Sequence, residues 1–296
     1  MENLVSTPAP LELPERPEGV ERPPEWPPWF AGVGFLVAIT ATLLLVGLVA
    51  AIVGAEDDGA SPDFVILATL AQAAIFVATA VLFAGFVRKP KAWHFGLRPT
   101  RFWRGLGWAA AGIACFYLVA GIYSVAVPVD VEQGVTDDLG ADQGTFGLIV
   151  AGLMVMIVAP FAEELFFRGF FYRALRSRYS MVAAATIDGA LFGVIHFNFE
   201  GAEALLLLPP LALLGFVFCV VYEKTGSLFP VIGMHAFNNT IAYAAQADGG
   251  WQVSVVVGPL VLAVCALAPR FLAPGPGPSA GPATLREQPA ASPGRA

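Results

Sequence analysis

Eight long apolar runs partition the chain, near 29–54, 64–87, 103–127, 146–168, 181–198, 204–222, 228–247 and 251–269. Each is close to the ~20 residues that a helix needs to cross the hydrocarbon core of a bilayer. The pattern predicts an all-α, polytopic membrane protein with about eight transmembrane helices enclosing a polar cavity open to the cytoplasm. Only Ala247, Asp248, Gly249 and Gly250 part the last two runs, so a hairpin that does not fully cross is an alternative there. The helical domain is expected over 29–270, between disordered cytoplasmic tails at 1–28 and 271–296. The first tail holds Pro-rich segments and six glutamates against two arginines. It has neither the basic start nor the early apolar stretch of a secretory signal. The second is rich in Pro, Gly, Ala and Ser.

Composition agrees with the pattern and excludes a soluble enzyme. The chain is 57% hydrophobic and 13% charged, against roughly 45–50% and about 25% in soluble domains; its mean hydropathy is +0.70. A net charge of -7 argues against nucleic acid as a partner, which requires a clustered basic face. The placement of charge is more informative than its sum. Lys and Arg concentrate on the cytoplasmic side of membrane proteins. Here Arg88, Lys89, Lys91, Arg98, Arg101 and Arg104 follow the second run, and Arg173, Arg176 and Arg178 follow the fourth. Acidic segments alternate with them, around Glu56 to Asp63, Asp130 to Asp142, and Glu200 with Glu203. Eight spans with both termini cytoplasmic satisfy every loop and place the protein in the cell membrane. The three cysteines, without CxxC spacing, read as packing residues.

Ionisable groups inside a bilayer are costly and mark function. The fourth run meets Glu163, Glu164 and Arg168, the fifth ends at His196, and the seventh carries His235, Asn238 and Asn239. Glu164 and Arg168, four apart, share a helix face and pair as a strut. Glu163 points about 100° away and is left for chemistry. Phe192 with His196, and His235 with Asn239, have the same spacing, so three helices can present Glu163, His196, His235 and Asn239 to one cavity. A carboxylate beside a histidine can take a proton from water, while a second histidine and an amide can hold a developing oxyanion. Alternatively Glu163, His196 and His235 bind a divalent metal such as zinc and leave one position for water. Pro160 removes a backbone hydrogen bond near Glu163 and frees backbone groups that can widen the cavity. Asn238 reads as a helix–helix hydrogen-bonding residue, and Asp188 as a buried acid lining the cavity. His94, Trp93 and Trp103 read as interfacial anchors. By helical rise, Glu163 and His235 lie roughly 10 Å inside the cytoplasmic ends of their runs and His196 roughly 20 Å. A fifth helix starting below the bilayer reconciles them, with the site about a third of the way in.

The segments EELFFR, FGVIH and HAFNN together resemble the three motifs of the CAAX-protease-related and bacteriocin-processing (CPBP, or Abi) family of intramembrane proteases, over roughly residues 100–265. The resemblance implies eight helices around a conical cavity and hydrolysis of a peptide bond near the C terminus of a peptide or lipid-anchored substrate. It assigns Glu163 and His196 to water activation and His235 and Asn239 to the oxyanion, with Glu164, Arg168 and Phe192 in support. Family members have been described both as metalloproteases and as glutamic proteases, so the mechanism stays open at this point. Eukaryotic members trim prenylated CAAX proteins; others serve peptide maturation, bacteriocin immunity or scaffolding. The expectation is a membrane-embedded endopeptidase acting on a peptide or lipid-modified protein in the bilayer. The alternative is a noncatalytic scaffold that keeps the cavity; a transporter is disfavoured because no internal repeat is visible.

Overall fold

The structure, a computed structural model, describes residues 25–53, 61–127, 134–197 and 202–272. The expected tails at 1–24 and 273–296, and the acidic segments 54–60, 128–133 and 198–201, lie outside the described residues. Among those described there are helices and no strand.

Eight principal helices follow the eight apolar runs: α1 Trp29–Val53, α2 Pro62–Val87, α3 Phe102–Ala126, α4 Gly144–Arg176, α5 Met181–Val194, α6 Leu208–Thr225, α7 Phe229–Gln246 and α8 Gly250–Leu267. Their limits follow local chemistry. The Ser61 hydroxyl accepts from the Phe64 N–H, with Pro62 in the first turn of α2, and Ser180 caps α5 through the Ala183 N–H; both are favoured N-terminal arrangements. Gly226 ends α6 at φ 67°, a left-handed conformation that glycine reaches without steric cost.

Six helical stretches are long and apolar enough to cross a membrane: α1, α2, α3, α4, residues 204–225 that include α6, and residues 250–271 that include α8. The other two depart from the expected uniform span. At 14 residues, α5 extends only ~21 Å, short of the ~30 Å hydrocarbon core. In α7 the polar His235, Asn238 and Asn239 interrupt the apolar run.

The fourth run continues as helix eight residues beyond its expected end, to Arg176, and contains two π-helical stretches, Met154–Val158 and Leu165–Tyr172. Pro160 accounts for the first. Having no N–H, it cannot close the next backbone bond. The Ala159 N–H reaches back to the Met154 carbonyl, and the Val155 carbonyl is released for use elsewhere.

The core is aromatic. Phe166, Phe167, Phe170 and Phe171 of α4 are all buried; Phe166 and Phe167 pack with Phe76 of α2, and Phe167 with Phe192 of α5. Helices α5 and α6 cross so closely that a Cβ on Gly189 would strike the Ala212 and Phe216 backbone, and one on Gly215 would strike the Gly189 backbone. Trp26, inside the stretch expected as tail, is 2% exposed and packs on Phe95 and Phe170. The α2–α3 connection folds back onto the bundle. Tyr222 donates to the Phe95 carbonyl, Arg98 to that of Gly226, and Arg173 to that of His94. His94 is therefore buried rather than an interfacial anchor, whereas Trp103, 78% exposed, fits that role.

Candidate active site

The residues singled out in the sequence converge. The Glu163 carboxylate oxygen Oε2 lies 3.8 Å from His196 Nε2 and 3.9 Å from His235 Nε2, so α4, α5 and α7 each contribute one group to a single point. That oxygen is buried and accepts no hydrogen bond from the protein.

Each imidazole is fixed from behind. His196 Nδ1 lies 2.7 Å from the Phe192 carbonyl, and His235 Nδ1 lies 2.8 Å from Glu164 Oε1. A carbonyl or carboxylate oxygen can only accept, so both Nδ1 atoms carry the proton and both Nε2 atoms face Glu163. The four-residue spacing of Phe192 and His196 thus has a local cause. At the frayed end of the short α5 the side chain bonds back to the carbonyl one turn earlier, and the two rings pack 4.6 Å apart.

Behind the imidazoles is a buried charge network. Arg168 donates to Glu164 Oε1 at 2.9 Å and to the Gly215 carbonyl at 3.1 Å, and its Nε lies 3.5 Å from Asp188 Oδ1. The guanidinium stacks against the Phe192 and Phe218 rings, 4.4 and 4.9 Å from their centroids, a cation–π arrangement that a dry interior strengthens. Glu164, expected only as a strut, therefore also holds His235. Asp188, expected to line the cavity, is fully buried beside Arg168 and accepts from the Cys219 thiol at 3.1 Å. Cys219 is thus a hydrogen-bond donor as well as a packing residue.

Asn239 uses one amide N–H on the Val155 carbonyl at 2.9 Å, the acceptor that Pro160 and the π-helical turn released. Its other N–H remains for a ligand. Asn238 bridges helices as expected, accepting from the Tyr117 hydroxyl of α3 at 3.1 Å.

A cavity of about 260 Å³ reaches Glu163, His196, His235 and Asn239. Its lining continues along α2 and α7 to Thr136 and Gln246, and none of it comes from the basic connections. The lining runs toward the acidic ends of the helices. Glu163 lies ~20 Å before the Arg176 end of α4, and His196 ~22 Å above the start of α5, so the two are level. Just before α7 the Leu228 N–H donates to the Gly96 carbonyl of the folded-back connection. Thr69 and Gln72 of α2, Thr136 and Gln246 also line the cavity and were not singled out in the sequence. The signal for the first two was present, as polar residues three apart on one face of an apolar run.

Glu163, His196 and His235 were also weighed as metal ligands. No group of three His, Cys, Asp or Glu among the described residues is disposed to hold a metal ion. Separations of 3.8 and 3.9 Å exceed the ~3.3 Å between ligands that bind zinc tetrahedrally at ~2.0–2.1 Å.

Fold and site together define a multi-pass helical membrane protein with a buried glutamate–histidine centre. Residues 145–241 match the family model described as type II CAAX prenyl endopeptidase Rce1-like. This segment, about a third of the chain, contains every motif residue named above, from Glu163 to Asn239. Part of the chain is also similar to three curated proteins. The chain is 30% identical over 139 residues to an "Uncharacterized 24.3 kDa protein" of Escherichia coli, covering 46% of this chain and 62% of that one. It is 31% identical over 137 residues to "Uncharacterized protein YyaK" of Bacillus subtilis, covering 43% of each. It is 26% identical over 170 residues to "Putative membrane peptidase YdiL" of the same organism, covering 52% and 65%. The chain thus spans less than two thirds of the length of these relatives. No solved structure matches.

Proposed function

We propose that the protein is an intramembrane endopeptidase that hydrolyses a peptide bond near the C terminus of a peptide or lipid-anchored protein, through a glutamate-activated water and without a metal. The observation that carries this reading is the unpartnered Glu163 Oε2 facing two imidazole Nε2 atoms at 3.8 and 3.9 Å within a cavity. At these spacings one water can bridge Glu163 Oε2 and an imidazole Nε2. The match to an endopeptidase family model and the name of the Bacillus subtilis relative support the class.

Glu163 takes a proton from the water, oriented by His196, as its oxygen adds to the substrate carbonyl carbon. The resulting oxyanion accepts from His235 and from the free N–H of Asn239. With Nδ1–H committed to Glu164, His235 can donate from Nε2 only as imidazolium. Two carboxylates, Glu164 and Asp188, share the single Arg168, so one negative charge is available to balance it. Glu163 then passes its proton to the amine as the C–N bond breaks, and both product chains leave with the carboxylate restored. In the same reading the protein crosses the cell membrane eight times with both termini cytoplasmic.

Glu163→Gln keeps the shape and removes the base. With internally quenched peptides as substrates, cleavage by purified protein should fall by at least ~10²-fold and be unaffected by chelators in the wild type. Undiminished cleavage by E163Q refutes the base, and loss of wild-type activity on chelation that zinc restores refutes the metal-free mechanism.

A further inference from the structure

We infer that the catalytic cavity takes its substrate from the extracytoplasmic side of the membrane, so that the polypeptide cleaved is an extracytoplasmic segment rather than the cytoplasmic tail of a lipidated protein. The inference rests on the endopeptidase reading for its chemistry, and on three independent structural features for its direction.

The first is the course of the cavity. From Glu163 its lining rises along α7 through Asn239 to Gln246, and along α2 through Gln72 to Thr69, ending at Thr136 before α4. All of these lie on the side where α2 and α4 begin and α7 ends. Gln246 at the mouth is exposed, while His235 at the base is 3% exposed.

The second is the closure of the other end. Between Glu163 and the Arg176 terminus, α4 presents Phe166, Phe167, Phe170 and Phe171, each 0–1% exposed, against Phe218 of α6 at 0%. Arg168 fills the space between the rings. Beyond them the α2–α3 connection is bonded across the bundle, with Phe95 packed on Trp26 and tied to Tyr222. A peptide cannot pass through interior packing of this kind without unfolding it.

The third is the segregation of charge. Among the described residues, every Lys and Arg except Arg168 lies at the closed end, in the α2–α3 and α4–α5 connections, the first turn of α3, the last turns of α4 and α6, and just after α8. The connections at the open end and the first turn of α2 carry Asp63, Asp137, Asp138, Asp142 and Asp248 and no basic residue. Lys and Arg in short loops stay in the cytoplasm, which places the closed end inside and the mouth outside. The acidic rim also suits an incoming segment that carries positive charge.

Single-cysteine accessibility tests the direction without using activity. Gln246→Cys places a thiol at the mouth, and Arg178→Cys, an exposed position in the α4–α5 connection, places one at the closed end. The wild-type chain, with its three native cysteines, gives the background. A membrane-impermeant biotin maleimide added to intact cells should label Q246C, and should label R178C only after permeabilisation. Cleavage of an internally quenched peptide by Q246C protein should then be lost on labelling, compared with the same variant before labelling. Labelling of Q246C only after permeabilisation, or not at all, overturns the inference. So does labelled Q246C that cleaves as fast as before. Cleavage by Glu163→Gln protein sinks the protease reading instead and leaves the labelling result to stand.

Discussion

Two adjacent glutamates with similar sequence surroundings have different partners, and the proposed roles differ with them. Glu163 has a bare carboxylate oxygen facing the imidazoles, whereas Glu164 is held by Arg168 and itself holds His235 Nδ1. Removing the cation leaves Glu164 and Asp188 buried without compensation, which costs ~3–5 kcal/mol in comparable networks. Arg168→Leu should therefore lower the unfolding temperature in detergent sharply. Glu164→Gln keeps the acceptor oxygen and removes only its charge. It should unfold near the wild-type temperature yet cleave ~10²-fold or more slowly, as when the carboxylate behind a catalytic histidine is neutralised. Equal losses of stability and activity in the two variants would show that Glu164 is a strut alone.

At the scale of elements, the site depends on irregular helix. Five residues of π-helix before Pro160 leave the Val155 carbonyl free, and Asn239 of α7 answers it at 2.9 Å. This single bond fastens α4 to α7 at the level of the cavity. In Pro160→Ala the new N–H can close a regular turn and compete with Asn239 for backbone oxygen. The expected result is unchanged or higher thermal stability, since proline is unfavourable inside a helix by ~3 kcal/mol, together with slower cleavage. Wild-type cleavage rates in this variant would disprove the link between the irregular turn and the site. The shortness of α5 matters in the same way. Because the helix stops after ~21 Å, His196 sits at its frayed end, level with Glu163, instead of on a continuous wall of the bundle.

For the whole molecule, the charge distribution and the closed aromatic end carry the proposed direction. If the basic end is cytoplasmic, a fluorescent protein fused to either terminus should fluoresce, and alkaline phosphatase fused there should be inactive. The reverse pattern at either terminus would contradict eight crossings in the proposed orientation. The alternation of loop signs is legible from residue order alone, because insertion reads Lys and Arg locally along the chain.

The sequence by itself determined the helices, to within a few residues at most ends, and the set of groups that meet at the centre. Apolar length and four-residue spacings are properties of one helix at a time, and they carry into the fold unchanged. The partners of Asp188, the double duty of Glu164, the cavity residues Gln72, Thr136 and Gln246, the burial of His94 and the direction of the cavity were decided only by tertiary structure. Each of these depends on how helices separated by tens of residues are packed against one another. A helix's own periodicity shows which residues share a face, but not which neighbour that face meets, nor which end of the bundle the aromatic side chains will fill.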